Sequence, residues 1–279
     1  MKIFDVHNHI IFRFSGDTED LSSFLSKAEN LGITLTGITL NTTIKDIQKE
    51  VLRFKKEKRE DPYLRWNIYM MESLRLKKQS VKVFPFLYLP PEKRLAEESM
   101  KVYEKRFGDQ AFGYKVHSQG IRENIRSLEG INSSRPIIIH SSVDYSAPKD
   151  IIDTFSSYKG NILLAHFAKF DLKSLKKIRN LKHFFIDSSV AILMFEALRS
   201  NSTRVFRSKE FSELSSPEEM YVRVADICGR DKIIFATDYP LSETQGGGYE
   251  KETEILRNLP EGIKERIAYK NALNFLNLE

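Results

Sequence analysis

Residues 136–166 read PIIIHSSVDYSAPKDIIDTFSSYKGNILLAH, and two short apolar runs in this stretch each end in a histidine. The runs are continuous in apolar residues rather than alternating in polarity, which is typical of parallel strands covered on both faces. His140 follows the first run and His166 follows the second. Both imidazoles are therefore predicted at the carboxyl ends of parallel strands.

The same kind of run recurs along the whole chain, and helical patterns separate the runs. Strands are predicted over Lys2 to His7, Gly32 to Leu40, Val81 to Leu89, Ala111 to His117, Pro136 to His140, Asn161 to His166, His183 to Asp187 and Lys232 to Thr237. Apolar residues at helical spacing are Leu21, Phe24, Leu25, Ala28 and Leu31, then Ile44, Ile47, Val51 and Phe54, and then Leu172, Leu175, Ile178 and Leu181. Ser216, Pro217 and Glu219 predict a further helix that begins near Pro217.

Eight strands that alternate with helices close most simply into an α/β fold of the (β/α)8 or TIM-barrel type. We expect one catalytic domain over residues 1–279, with extra helices or lids after strand 2 (Glu57 to Ser80) and after strand 7 (Ser200 to Ser215). An open, doubly wound sheet is the competing fold. No Gly-x-Gly-x-x-Gly follows the first strand, so the dinucleotide-binding version of that fold has little support.

Composition limits the classes of function. The chain is 41% hydrophobic and 29% charged, and no apolar stretch reaches the roughly 18 residues that a membrane span requires. The start MKIFDVHNHI lacks the long apolar region of a signal peptide, and Cys228 is the sole cysteine, so a cytoplasmic protein without an internal disulfide is expected. The net charge of +6 could favour an anionic substrate, but basic residues alternate with glutamates along helices, so no nucleic-acid or membrane partner is expected.

Further potential ligands also lie at strand ends. In DVHNH, strand alternation places His7 and His9 on one face and Val6 and Asn8 on the other. Asp238 ends the run KIIFATD, Asp187 ends FFID, and Lys115 and His117 share one face of GYKVH. A barrel forms its active site at the carboxyl ends of its strands. These side chains are therefore predicted to converge there with His140 and His166. His183, at the start of its strand, is expected at the opposite end of the barrel.

This combination resembles the metal-dependent amidohydrolase superfamily, in particular its amidohydrolase-2 branch of barrel hydrolases and decarboxylases. The resemblance rests on His-x-His in strand 1, histidines ending strands 5 and 6, ATDYP ending strand 8, and the closing segment IAYKNALNFLNL with Asn271. It implies one divalent ion, with Zn²⁺ expected and Mn²⁺, Fe²⁺ and Ni²⁺ as alternatives. The ligands that it implies are His7, His9, His140 and Asp238.

The resemblance also implies roles for other residues. Asp238 would act as general base as well as ligand, and His166 would orient the water or donate to a developing oxyanion. Lys115, His117 and Asp187 are candidate substrate contacts. The alternatives are a carboxylated Lys115 that bridges two ions, a structural hydrogen bond from His117, and an Asp187 that holds His166 or caps the next helix.

The leading hypothesis is a hydrolase that cleaves a C–N or C–O bond of a small molecule with metal-activated water. The alternative is a metal-dependent decarboxylase on the same fold. A TatD-like nuclease ranks lower, because that group carries a glutamate on strand 4 where this chain has Lys115; a non-catalytic metal-binding protein is the remaining hypothesis. Aromatic residues near Trp66 and Phe206 would line a pocket or pack against a second subunit of a homo-oligomer.

Overall fold

The computed structural model describes residues 1–10, 19–40, 63–76, 80–118, 123–200, 202–245 and 248–278. Eight parallel strands lie side by side in chain order. They are β1 (Ile3–Ile10), β2 (Ile33–Leu40), β3 (Lys82–Leu89), β4 (Gly113–Val116), β5 (Ile137–Ile139), β6 (Ile162–Leu164), β7 (Phe184–Asp187) and β8 (Ile233–Ile234). All eight predicted strands are confirmed, and the short central ones end close to the predicted positions.

The sheet closes between β8 and β1. The amide of Val6 donates to the carbonyl of Phe235 at 3.2 Å, the amide of Asp238 donates to the carbonyl of His7 at 2.9 Å, and the amide of His9 donates to the carbonyl of Tyr239 at 2.7 Å. These bonds continue past the end of β8, so that the backbone on both sides of Asp238 is tied to β1. The fold is the predicted (β/α)8 barrel.

Helices connect the strands and cover the outside of the barrel. The helices are Glu19–Asn30, Leu64–Leu76, Lys93–Phe107, Pro148–Thr154, Leu172–Ile178, Ala191–Arg199, Pro217–Cys228, Leu241–Gln245, Tyr249–Asn258, Glu261–Glu265 and Asn271–Leu276. Short 3-10 turns are Gly108–Gln110, Ile125–Leu128 and Lys209–Phe211, and Arg266–Lys270 forms a π-helical turn. Within the part of the chain that the structure describes, none of the helices has the length and apolar character needed to span a membrane.

The apolar patterns that start at Leu21 and Leu172 form the helices Glu19–Asn30 and Leu172–Ile178, as predicted. The helix predicted near Pro217 begins there, and the Ser216 hydroxyl accepts a hydrogen bond from the amide of Glu219 at 3.3 Å. The insertion after β2 contains Leu64–Leu76, whereas most of the insertion after β7 is irregular apart from the turn Lys209–Phe211. The helical pattern of Ile44 to Phe54 lies outside the described residues.

The barrel interior is filled with large apolar side chains up to the level of the predicted site. The inner cluster comprises Phe4, Val6, Phe84, Phe86, Ile138, Leu163, Phe185, Ile234 and Ala236, with Phe275 and Leu276 from the last helix. Asn271, which is fully buried, fixes that helix because its amide group donates to the carbonyls of Arg230 and Ile233 at 2.8 and 2.7 Å. The core thus closes the amino-terminal end of the barrel and leaves the carboxyl end for polar chemistry.

Candidate functional site

Three predicted site residues meet at the carboxyl end of the barrel. His7, His9 and Asp238 each offer one ligand atom, and these atoms all lie within 4.8 Å of one another. The two Nε2 atoms of His7 and His9 are 3.1 Å apart, and Asp238 Oδ1 lies 2.9 Å from His9 Nε2 and 3.7 Å from His7 Nε2. His7 and Asp238 are buried, whereas His9 is partly exposed. The cluster therefore opens to solvent on the side of His9.

A β-bulge in β1 aims the first imidazole into the barrel. The pairing of β1 with β2 shifts register between Asp5 and Asn8, and a bulge of this kind redirects side chains. Val6 belongs to the inner cluster together with Phe4, although simple alternation predicts it on the face opposite to His7. That part of the prediction is wrong, because the extra residue of the bulge lets both Val6 and His7 face inward.

Close approach of β1 and β2 accompanies the bulge. A Cβ atom on Gly37 would lie 2.0 Å from the carbonyl oxygen of Val6 and 3.2 Å from the Phe86 ring. Only glycine fits there, because real Cβ contacts do not reach such distances. Asn8 then ties the bulge to both neighbours, since it donates to Thr36 Oγ1 at 3.0 Å and accepts from the amide of Tyr239 at 3.2 Å.

Asp187 supports the first histidine from behind. Its Oδ2 lies 2.8 Å from His7 Nδ1, and its Oδ1 accepts hydrogen bonds from the amides of His166 and Ser189 at 2.8 and 3.0 Å. Burial alone would raise the pKa of Asp187, but its close contact and hydrogen bond with His7 outweigh burial and hold that pKa at about 2. All these partners are groups of the protein, so the hydrogen bonds of Asp187 hold His7 and His166 in place.

The other predicted histidines form a chain along the same rim. His166 Nε2 lies 3.0 Å from His140 Nδ1, and the rings of His140 and His117 stack with centroids 3.8 Å apart. His166 Nδ1 lies 2.8 Å from the Ser189 hydroxyl and 3.9 Å from Asp238 Oδ2. His140 is not among the three ligands that meet within 4.8 Å; it reaches that group through His166.

Burial keeps these imidazoles neutral. Burial lowers the pKa of His7, and the nearby Lys115 lowers that pKa further. Burial also lowers the pKa of His117 to about 3, again with a contribution from Lys115. The pKa values of His140 and His166 lie well below the usual range, chiefly because both rings are buried and secondly because of His117 and Lys169, respectively. A neutral imidazole keeps the nitrogen lone pair that binds a metal.

Two buried lysines face this site. Lys115 is fully buried and its Nζ lies 2.7 Å from His7 Nε2, while Lys169 is 8% exposed. Burial lowers the pKa of each to about 8, although the carboxylates Asp238 and Asp187 raise it. Sequence analysis places Lys115 in the site but misses Lys169, because a lysine in AHFAKF has nothing to distinguish it from a solvated surface lysine.

Lys169 enters the site through an unusual backbone turn. The residues His166–Phe170 all have φ between 48° and 60°, in the left-handed region that costs non-glycine residues roughly 1–2 kcal/mol each. The turn is held at its start by the bond from the His166 amide to Asp187, and it ends at Asp171, whose side chain caps the helix Leu172–Ile178. No sequence signal predicts it, because none of its residues is glycine or asparagine.

The donor set fits a divalent ion. Ligand atoms about 2.0–2.1 Å from one tetrahedral ion lie about 3.3 Å apart, and the three separations among His7, His9 and Asp238 range from 2.9 to 3.7 Å. Burial would raise the pKa of Asp238, but His7 and His9 hold it well below the usual range, so the carboxylate is ionised. Two imidazoles and one carboxylate are ligands that suit Zn²⁺ and Mn²⁺.

The family model described as amidohydrolase, of the amidohydrolase-2 type, matches residues 131–278, which is more than half of the chain. The chain belongs to this amidohydrolase family of enzymes. The match covers the strands that carry His140, His166, Asp187 and Asp238. No curated protein matches the sequence.

Solved structures share the fold over nearly the whole chain. A putative amidohydrolase from Staphylococcus aureus is 14% identical, with a TM-score of 0.67 over 99% of this chain and 100% of that one. 2,6-Dihydroxybenzoate decarboxylase from Rhizobium is 14% identical, with a TM-score of 0.64 over 99% of each chain. A dihydroxybenzoic acid decarboxylase from Polaromonas with bound manganese is 13% identical, with a TM-score of 0.62 over 99% of this chain and 97% of that one. At these identities the likeness shows the fold alone.

Proposed function

We propose that this amidohydrolase is a metal-dependent hydrolase that cleaves a C–N or C–O bond of a small molecule, such as an amide, an ester or a lactone. The position of Asp238 carries the proposal. One oxygen of its carboxylate contacts the pair His7 and His9, and the other faces His166 Nδ1 at 3.9 Å. A carboxylate between potential metal ligands and a further imidazole suits the handling of a proton from water.

Four residues would hold the ion. His7, His9 and Asp238 already lie together, and His140 lies on the same rim as a neutral imidazole. A divalent ion bound there would polarise a carbonyl group and lower the pKa of water. Zn²⁺ is our first assignment from the nitrogen and oxygen donors, and the manganese in the Polaromonas structure makes Mn²⁺ the alternative.

The protein groups would then handle the proton and the substrate. Asp238 is ionised at neutral pH and would accept the proton of the attacking water. His166, which is neutral and held by Ser189 and Asp187, would take up or return that proton at the leaving group. Thr39, which pairs with His9 across β1 and β2, would be a further contact for the substrate, since its buried hydroxyl has no hydrogen-bond partner among the described residues.

A panel of amides, esters and lactones in ¹⁸O-labelled water tests the proposal. The wild type should release a product that contains ¹⁸O, and Asp238→Asn should lose about 10²–10⁴-fold in rate, the usual contribution of a general base, while its metal content is measured in parallel. Asp153→Asn, at an exposed position, is the matched control. Equal turnover by the wild type and a metal-containing Asp238→Asn enzyme would rule out the assignment of Asp238.

Decarboxylation is the second candidate. It is favoured by the two buried lysines, which suit a substrate carboxylate, and by the same fold in the Rhizobium decarboxylase. Carbon dioxide release from aromatic and unsaturated acids would reveal it. Release of carbon dioxide without any hydrolytic turnover would eliminate the hydrolase in favour of the lyase.

A further inference from the structure

Lys169 is a buried cation whose charge has no close carboxylate partner among the described residues. Its Nζ contacts the sulfur of Met194 at 3.8 Å, and none of the ion pairs within 4.0 Å among the described residues includes it. Burying an ammonium group without a partner is unfavourable, and a methionine or leucine would fill the same space without that penalty. A structural role alone therefore does not explain a lysine at this position.

The charge of Lys169 is directed toward the metal-binding rim. Lys169 lies within electrostatic reach of the His140 and His166 rings and of the carboxylates Asp187 and Asp238. With a pKa of about 8, Lys169 is mainly protonated at neutral pH. The ammonium group thus acts on the His140 and His166 side of the site.

A second cation lies on the same side. The amide of Phe206 donates to the Lys169 carbonyl at 2.9 Å, which holds the segment before Phe206 against the left-handed turn. Arg204 belongs to that segment and lowers the pKa of Lys169, so the two cations repel one another. An anion bound to Lys169 would relieve this repulsion.

We propose that Lys169 is a specificity-determining residue that binds a carboxylate group of the substrate. This inference rests on the proposed function, because it takes the metal-binding rim as the place of reaction. A neutral amide or ester of the same shape would lack this contact. Lys169 lies three residues after His166 on the left-handed turn, so its position is tied to the rim that carries the proposed proton-transfer group.

Calorimetric titration with benzoate, and with benzamide as its neutral counterpart, tests the inference in metal-loaded and in chelator-treated protein. The wild type should bind benzoate more tightly than benzamide. Lys169→Met and Lys169→Gln should weaken benzoate binding at least tenfold and leave benzamide binding and metal content unchanged. Lys169→Arg should retain most of the affinity for benzoate. Lys173→Met, on the exposed face of the next helix, is the matched control.

The possible outcomes separate the two proposals. Unchanged benzoate affinity in a folded Lys169→Met protein overturns the role of Lys169, whatever the metal content. Loss of benzoate binding in the chelator-treated variant, in a protein that takes up no metal, would support Lys169 while rejecting the proposed function. Inorganic phosphate that binds more tightly than benzoate and depends on Lys169 overturns the assignment to a carboxylate. If Lys169→Met and Lys169→Gln both fail to fold, the wild type and Lys169→Arg decide. Equal affinity of the wild type for benzoate and benzamide overturns the inference. A preference for benzoate in the wild type that Lys169→Arg retains supports the inference.

Discussion

The Nδ1 atom of His7 lies 2.8 Å from Oδ2 of Asp187, although 180 residues separate the two in the chain. A carboxylate accepts hydrogen bonds and does not donate them when ionised, so Nδ1 carries the proton and Nε2 keeps its lone pair. That Nε2 atom is the one that faces His9 and Asp238. Asp187 therefore sets the tautomer in which His7 is able to bind an ion.

Replacing this support should weaken metal binding. We expect Asp187→Asn to lower the affinity for Zn²⁺ or Mn²⁺ by about 10–100-fold, the usual effect of losing a carboxylate behind a metal-binding histidine. Competition with a chromophoric chelator measures the dissociation constant. Asp153→Asn, at an exposed position, should bind as the wild type does. An affinity that stays at the wild-type value in a folded Asp187→Asn protein would refute the supporting role.

Metal content distinguishes a one-ion site from a two-ion site. Elemental analysis of the purified protein should find about one ion per chain, and His9→Ala and His140→Ala should each lose it. His183→Ala is a matched control, because His183 precedes its strand and lies at the opposite end of the barrel. Two ions per chain would contradict the proposed site and would favour a carboxylated Lys115, whose Nζ lies 2.7 Å from His7 Nε2.

Patterns in the sequence were sufficient to predict the eight strands. They also predicted that the polar residues after these strands lie at the carboxyl end of the barrel. Parallel strands are buried on both faces, so their apolar runs stand out, and the residue after each run must lie at one end of the barrel. Distances within that rim depend on local departures from regular structure. The bulge that turns Val6 inward and the left-handed turn that brings in Lys169 involve ordinary residues in unusual conformations, and no residue pattern predicts them.

Gly37 offers a test of the bulge itself. Its substitution by alanine would place a methyl group 2.0 Å from the Val6 carbonyl oxygen, so β1 must move away from β2. We expect Gly37→Ala to lower the free energy of unfolding by about 1–3 kcal/mol or more, as overpacking usually does. The substitution should also weaken metal binding, because His7 moves with β1. Gly262→Ala is the control, since its nearest neighbour would be 3.8 Å away. Urea unfolding measures both variants, and equal stability would show that the bulge tolerates a side chain.

Stability of the metal-free protein should fall as the pH drops from 7 to 5. Burial lowers the folded-state pKa of four histidines, namely His7, His117, His140 and His166, so below pH 6.5 the unfolded chain binds protons there that the folded chain does not. Asp5 and Glu252 act in the opposite direction, because burial raises their pKa values to about 7 and 8 and the folded state binds those protons. Three to four protons against two leave the unfolded state with one to two more, which corresponds to a loss of at most about 1–3 kcal/mol in the free energy of unfolding per pH unit. Asp187 adds to the loss only when the pH falls from about 4 to 2.

Urea unfolding of chelator-treated protein at several pH values measures this slope, and His117→Asn should reduce it by at least about half. A flat or rising profile between pH 7 and 5 would show that these histidines are protonated in the folded state.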